Sequence, residues 1–389
     1  MREGVRNMAS VTGRRLSRVV LLRWLAVGSM AAAVALLCGC VPPTTATFWS
    51  PDGSAVAYES DGQLCLYDVA TKESRQVNTG DLAVMPLAWS PDGKVVACYA
   101  GKKDSQEPAS LCAVNVTSGE VAVLAAGIWP PPDSGDEANS SETGDAPGAV
   151  AEFAILILTF GQPVAWSPDG RRIAYLGASD AGSSVVVVDV AAGAGKRIVE
   201  SRTCITLISW SPDGRRLAYV TADLEPTPTS PQPALFAYDF ATETSTSIAN
   251  VPGDGPAAGT RLQWSPDSTQ IAFIAPDPPN NTAIGYLVDA KPGAEVRKVV
   301  RGISEAAAWS PDLKGIAFVE ERHDGAVVVL YRGVRPPVRR VLGEITEASP
   351  TPPPAYSIPQ FPPHGRFLSF LVLTETEEGP PKVSVLPVR

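Results

Sequence analysis

With 389 residues, 44% of them hydrophobic, the chain can bury a large core, and its 37 prolines and 33 glycines suit many short strands joined by turns. The formal charge is −9, and six arginines against one glutamate give residues 1–39 a charge of +5, so the remainder carries −14. An acidic body offers no surface for phosphates, which excludes nucleic acid as a partner class.

In chain order, Arg2, Arg6, Arg14, Arg15, Arg18 and Arg23 precede an apolar run from Trp24 to Leu37. The run is short for a membrane span and carries the flanks of an export signal, which predicts a signal peptide over residues 1–39. Its end, Leu37, Cys38, Gly39 and Cys40, resembles the lipobox of bacterial lipoproteins. The resemblance implies cleavage before Cys40 and acyl chains on its thiol and new amino group. Several chains on one residue anchor stably where one is marginal. Residues 40–46 then form a lipidated tether, which places the body outside the cytoplasm, beside a bacterial cell membrane.

From Trp49 onward one pentapeptide recurs. Trp-Ser-Pro-Asp-Gly begins at Trp49, Trp89, Trp166 and Trp210, returns with a changed fifth residue at Trp264 (Ser268) and Trp309 (Leu313), and is eroded at Phe361, Pro362, Pro363, His364 and Gly365. Eight residues after the aromatic stand Ala57, Ala97, Ala174, Ala218, Ala272, Ala317 and Ser369, flanked by an aliphatic residue before and, in six copies, an aromatic one after. Repetition at this period signals a solenoid or a propeller. Ser-Pro-Asp-Gly has type I turn preferences, under which Ser268 and Leu313 are cheap replacements at a position that favours Gly without requiring it. The turn joins a strand ending at the aromatic to an apolar strand. A third strand, such as Leu64–Val69, and a more polar fourth, such as Ser74–Asn78, complete each repeat. The pattern predicts an all-β, seven-bladed β-propeller of four-stranded antiparallel blades over residues 47–389, with six or eight blades as alternatives.

These repeats resemble the WD40-like, PD40-type repeats of the TolB-type propeller superfamily. The resemblance implies the fold strongly and the function weakly, because such propellers serve many roles. TolB itself has an additional N-terminal domain and prolyl oligopeptidase relatives carry a hydrolase domain, and neither is expected here.

Motif spacings of 40, 77, 44, 54, 45 and 52 residues single out the stretch between Trp89 and Trp166. Trp129 stands where an eighth blade would begin, but the composition of residues 128–149 reads as an acidic insertion, followed by an added strand at Phe153–Phe160. The seventh copy ends after its third strand, and residues 41–47 are the candidates for completing it, fully, briefly or not at all.

Two uses fit the motif aspartates Asp52, Asp92, Asp169, Asp213, Asp267 and Asp312. Each can bond the backbone of its own turn, or the six can form a channel-mouth ring that attracts a cation or basic peptide. The tryptophans fit packing between blades. Cys98 and Cys112 fall on adjacent strands, a candidate disulfide given export. No catalytic constellation, metal-ligand spacing or phosphate loop stands out, so no cofactor is expected. The sequence therefore points to a lipoprotein whose non-catalytic propeller binds an envelope protein or peptide. A ligand- or polysaccharide-binding propeller is the alternative, and a hydrolase with a site at the propeller mouth comes third. The sequence leaves oligomeric state open.

Overall fold

The computed structural model describes residues 47–103, 105, 108–129, 163–179, 182–223, 230–253, 255–256, 260–277, 280, 282–304, 307–322, 325–333, 338–345, 355–356, 360–373 and 382–388. The chain divides into two units, Met1–Pro43 and Thr44–Arg389, and the description below concerns the second. The expected signal peptide, Cys40, the residues after Trp129 up to 162 and the strand at Phe153–Phe160 lie outside the described residues.

Each repeat folds into its own antiparallel sheet with strands in sequence order. In repeat 4, for example, Cys204–Trp210 pairs with Arg216–Ala222, which pairs with Ala234–Asp239, which pairs with Thr244–Asn250. The fourth strands are the exposed ones; Ser74–Gln76 is exposed at every residue. The expectation of seven four-stranded blades is corrected. Six sheets have four strands, as the six-blade alternative had it, and the last repeat gives a three-stranded sheet of Ala355–Tyr356, Phe367–Leu373 and Lys382–Pro387. The described chain supplies no fourth strand there.

The reason for the invariant triplet lies between the sheets. All seven aliphatic residues at the seventh offset, Val56 to Leu368, and all seven small residues at the eighth, Ala57 to Ser369, have no exposed surface. Each of the six alanines packs into a cluster with the aromatic motif residue and aliphatic neighbour of the next repeat. Ala174 meets Trp210, Leu217 and Tyr219, and Ala272 meets Trp309, Ile316 and Phe318. One face of every second strand is therefore kept small so that the large face of the next sheet can close on it. The core is a series of interfaces between repeats rather than one centre.

The tryptophans add a polar link at the same interfaces. The indole N–H of Trp89 donates to the Phe48 carbonyl at 2.8 Å, Trp166 to Ala88 at 3.3 Å, Trp210 to Ala165 at 3.1 Å and Trp264 to Ser209 at 3.0 Å. In each case the acceptor is the residue before the preceding repeat's aromatic. Trp49 makes the same bond at 3.0 Å to Gln360, the residue before Phe361, and so joins the first repeat to the last. Thr47 Oγ1 lies 3.3 Å from Ser369 Oγ, and Trp49 stacks on Phe367 at 6.4 Å, at the same joint. Trp309 departs from the series by donating to Phe273 at 3.2 Å.

Two of the residues assigned to the acidic insertion, Ile128 and Trp129, belong to a strand. Ile128 and Trp129 end the fourth strand of repeat 2, Val121–Trp129, with Trp129 paired to Ala109. Trp129 therefore occupies an outer strand instead of starting another blade.

Candidate functional site

The Ser-Pro-Asp-Gly element is a hydrogen-bonded turn closed by the fifth residue. Gly53 N–H donates to the Ser50 carbonyl at 3.0 Å, and Ser50 N–H reaches the Ala55 carbonyl at 2.9 Å. The fifth residue lies in the left-handed region in every copy: φ is 70° at Gly53, but also 59° at Ser268 and 55° at Leu313. A type I turn followed by a left-handed residue is a hairpin geometry that glycine enters freely. The expectation that Ser268 and Leu313 are cheap is corrected, since a side chain in this region costs about 1–2 kcal/mol. Compensation differs between the two. Ser268 Oγ accepts the Asp213 N–H at 3.1 Å, whereas Leu313 buries its side chain among Trp309 and Ile316.

Consecutive turns touch. Gly93 faces Pro51, Gly170 faces Pro91, Gly214 faces Pro168 and Gly365 faces Pro311, and a methyl on Gly53 would overlap the His364 ring. With the Ser268–Asp213 bond, six of the seven junctions carry such a contact. The six aspartates, all exposed, are thereby brought onto one ring. Each carboxylate is also engaged by its own turn. Ser50 Oγ donates to Asp52 Oδ1 at 2.7 Å and the Ser54 N–H adds 3.0 Å; the same pair of bonds holds Asp92, Asp169, Asp213, Asp267 and Asp312. The motif serine hydroxyl lowers the pKa of Asp52, Asp92, Asp169 and Asp267 below the ordinary carboxylate value. At Asp213 and Asp312 burial pushes upward as the largest influence, but the serine, the backbone donor and nearby basic side chains together outweigh it. The result is a ring of carboxylates that stays ionised, each with one oxygen fixed by its turn.

Cys98 and Cys112 are register partners across the second and third strands of repeat 2, the adjacency the sequence suggested. Both thiols are free and buried. Burial raises the Cys98 thiol well above its ordinary pKa and pushes Cys112 up to about 11, so little of the reactive thiolate forms. Among the described residues no group of three or more His, Cys, Asp or Glu is placed to hold a metal.

The sixth residue after each aromatic carries no motif in the sequence, yet Arg172, Arg216 and Phe367 at this position lie against the aromatic of the next repeat. The column runs Ala55, Val95, Arg172, Arg216, Gln270, Gly315 and Phe367. Arg172 places its guanidinium carbon 4.7 Å from the Trp210 ring centre and 4.6 Å from that of Phe240, beside two rings that stack on each other at 4.5 Å. Arg216 lies 5.0 Å over Trp264 and donates to the Ala290 carbonyl at 2.9 Å and the Ser268 carbonyl at 2.6 Å. Between repeats 1 and 2 the corresponding residue is Ala55, and a cleft of ≈ 540 Å³ opens there against Trp89 and Val116, with Asp52, Asp68, Glu73 and Asp92 on its walls. Trp89 is accordingly half-buried, while Trp49, Trp210, Trp264 and Trp309 are buried.

Arg261 is a second residue that no sequence pattern selects. It precedes the first strand of repeat 5, stacks 5.1 Å from the Phe48 ring of repeat 1, and has its pKa lowered to about 10 by desolvation. With Gln263, Ala307, Gln360 and Phe361 it lines a cavity of ≈ 70 Å³ shared by repeats 5, 6 and 7.

Sequential four-stranded sheets, joined by aromatic residues and closed from last to first, define a β-propeller. The chain belongs to the TolB beta propeller domain (PD40) family, which matches residues 149–355. Among solved structures it is similar to oligogalacturonate lyase from Vibrio parahaemolyticus, with 12% identity, a TM-score of 0.58, and coverage of 89% of this chain and 92% of that one. An oligogalacturonate lyase in complex with manganese gives 12% identity, a TM-score of 0.57 and 88% coverage of both chains. TolB from Acinetobacter baumannii gives 15% identity and a TM-score of 0.47, covering 82% of this chain and 69% of that one. At these identities the likenesses establish the fold alone. No curated protein matches the chain.

Proposed function

We propose that the protein is a lipid-anchored, extracytoplasmic propeller that binds an envelope protein or peptide and performs no catalysis on it. The observation that carries the reading is the use of the repeated carboxylates. Each is bonded within its own turn and repeated six times, whereas catalysis needs one asymmetric constellation of groups. Family membership supports a propeller platform, and the resemblance of residues 37–40 to a lipobox supports acylation of Cys40. Rigid sheets that present loops around a ring suit such binding. The exposed aspartate ring favours a basic patch on the partner.

Two experiments test the reading. Cys40→Ala is expected to lose acyl label and leave the membrane fraction; unchanged label and fractionation refute the anchor. Cross-linking in intact cells followed by affinity capture is expected to return a protein or peptide partner. A protein-free eluate enriched in glycan would support the polysaccharide-binding alternative, to which the fold likeness to oligogalacturonate lyases also lends itself. Turnover in a hydrolase substrate screen, abolished by replacing ring aspartates in pairs, would sink the non-catalytic reading.

A further inference from the structure

We infer that the cleft between repeats 1 and 2 receives the guanidinium of an arginine side chain presented by a partner protein or peptide. The inference deepens the proposed binding role and rests on that reading for its class of partner. Its basis is internal to the molecule, because two equivalent junctions show what the cleft holds when it is filled.

At the junction of repeats 4 and 5, Arg216 stacks over Trp264 and donates to the carbonyls of Ala290 and Ser268. At repeats 3 and 4, the Arg172 guanidinium lies against the stacked Trp210 and Phe240 rings. In both cases the cation also acts on its own repeat's motif aspartate, lowering the pKa of Asp213 and Asp169. The same positions between repeats 1 and 2 are Trp89 for the ring, Gly93 and Val116 for the two carbonyls, and Asp52 for the carboxylate, and all four line the cleft. What is missing is the arginine, because Ala55 stands in its place. Among the described residues no cation lies over Trp89.

The local charge fits the same guest. Beyond Asp52 and Asp92, the walls carry Asp68 and Glu73, whose counterparts at the filled junctions are Asp189 with Ala194 and Asp239 with Thr244. The cleft thus has an added carboxylate where the arginine over the indole is absent, and Arg75 is the one basic side chain on its lining. Arg75 reaches in from the fourth strand and donates to the Val116 carbonyl at 2.9 Å, which leaves that oxygen's second lone pair. A planar guanidinium lays its face on an indole while its five N–H donors point outward in its plane; an ammonium has three donors and no face to stack.

The test uses the full chain and the peptide acetyl-Ala-Ala-Arg-Ala-Ala-amide, with lysine and citrulline counterparts. Binding is followed at the Trp89 indole N–H resonance, identified among the eight tryptophans by Trp89→Phe. The arginine peptide is expected to shift that resonance saturably. Lysine should weaken binding by about threefold or more, and citrulline, which lacks the charge, by about tenfold or more. Ala55→Arg supplies the missing side chain in cis, Ala55→Leu fills the space without charge, and both are expected to abolish the response while the thermal transition is retained. Equal affinity for arginine and citrulline, or an unchanged response in folded Ala55→Arg, overturns the inference. Should both filling variants lose the fold, Asp52→Asn decides, with at least about threefold weakening expected and unchanged affinity overturning it. Failure here is separable from failure of the platform reading. A partner captured equally by wild type and Ala55→Arg removes the cleft but leaves the platform, whereas an empty capture removes the platform while the peptide titration still decides the cleft.

Discussion

The junction of repeats 3 and 4 and the junction of repeats 1 and 2 are built from the same turn, the same alanine face and the same indole-to-carbonyl bond, and what separates them is the residue six places after the aromatic, Arg172 against Ala55, with Phe240 against Val116 beside it. Arg172 fills the first by lying against the stacked rings of Trp210 and Phe240; Ala55 leaves the second open beside a half-buried Trp89. In a repeat protein the elements that recur carry the fold, and a single position outside them can turn a structural joint into a receptor. Conformity and difference can therefore be assigned to separate columns of the same repeat.

The largest way to break the comparison is at the tryptophans. Trp210→Ala is expected to cost about 4 kcal/mol, removing a buried ring, its bond to Ala165 and the partner of Arg172. Trp89→Ala removes a less buried ring with no stacked cation, and its urea midpoint should fall by clearly less. Equal losses would mean that the two junctions are energetically alike. Next comes Arg172→Ala, which converts the filled junction into an open one. A loss of about 1–2 kcal/mol is expected for a cation in contact with two aromatic rings, with Trp210 fluorescence becoming accessible to acrylamide. Unchanged quenching would show that the neighbours collapse into the space.

The turn beneath both junctions gives a third, smaller effect. At Leu313 both truncations lose the same packed side chain, but only glycine relieves the left-handed backbone. Leu313→Gly is thus expected to be more stable than Leu313→Ala by about 1 kcal/mol, the reverse of the order on ordinary backbone. The smallest effect is the acid dependence of the aspartates. Their folded pKa values are lowered, so between the folded value and the unfolded value near 3.9 the unfolded chain binds more protons. Their stabilisation is complete above that window and is lost as pH falls through the folded pKa. Asp169→Asn and Asp52→Asn should each flatten the decline in stability below about pH 4. Asp169 should do so more, since Arg172 acts on it as well. A decline as steep as wild type in both variants would remove the turn carboxylates from the acid response.

Much of the fold is legible in the amino-acid sequence. The seven-, eight- and nine-residue offsets locate the second strand in every repeat because packing between repeats admits one small and one large face, which leaves a visible column. The aspartates of the second turn are equally legible. Asp68 accepts the N–H groups of Ala70 and Thr71, and Asn115, Asp189 and Asp239 repeat the pattern. The left-handed fifth residue is hidden because a type I turn tolerates most residues at its fourth position. Only the backbone shows that the following hairpin needs φ > 0 there. The filler column is hidden for a different reason. Its mixture of Ala, Val, Arg, Gln, Gly and Phe reads as an unconstrained surface position, yet Arg172, Arg216 and Phe367 lie against the next aromatic and the variation itself is the signal. Arg261 leaves no trace at all, since its ring partner Phe48 is more than two hundred residues away.

The bond from Trp49 to Gln360 has a kinetic consequence. The other tryptophan links of this series join residues 41 to 78 apart, and this one joins residues 311 apart. Loop-closure entropy grows slowly with length, by about 0.6 kcal/mol per doubling, so the long closure costs roughly 2 kcal/mol more than a neighbouring one. The heavier burden is one of timing. Repeats 1 to 6 can zip together as they emerge, but Trp49 keeps its apolar face unsealed until the last repeat arrives. The nascent chain is therefore most exposed to aggregation and proteolysis at its oldest end.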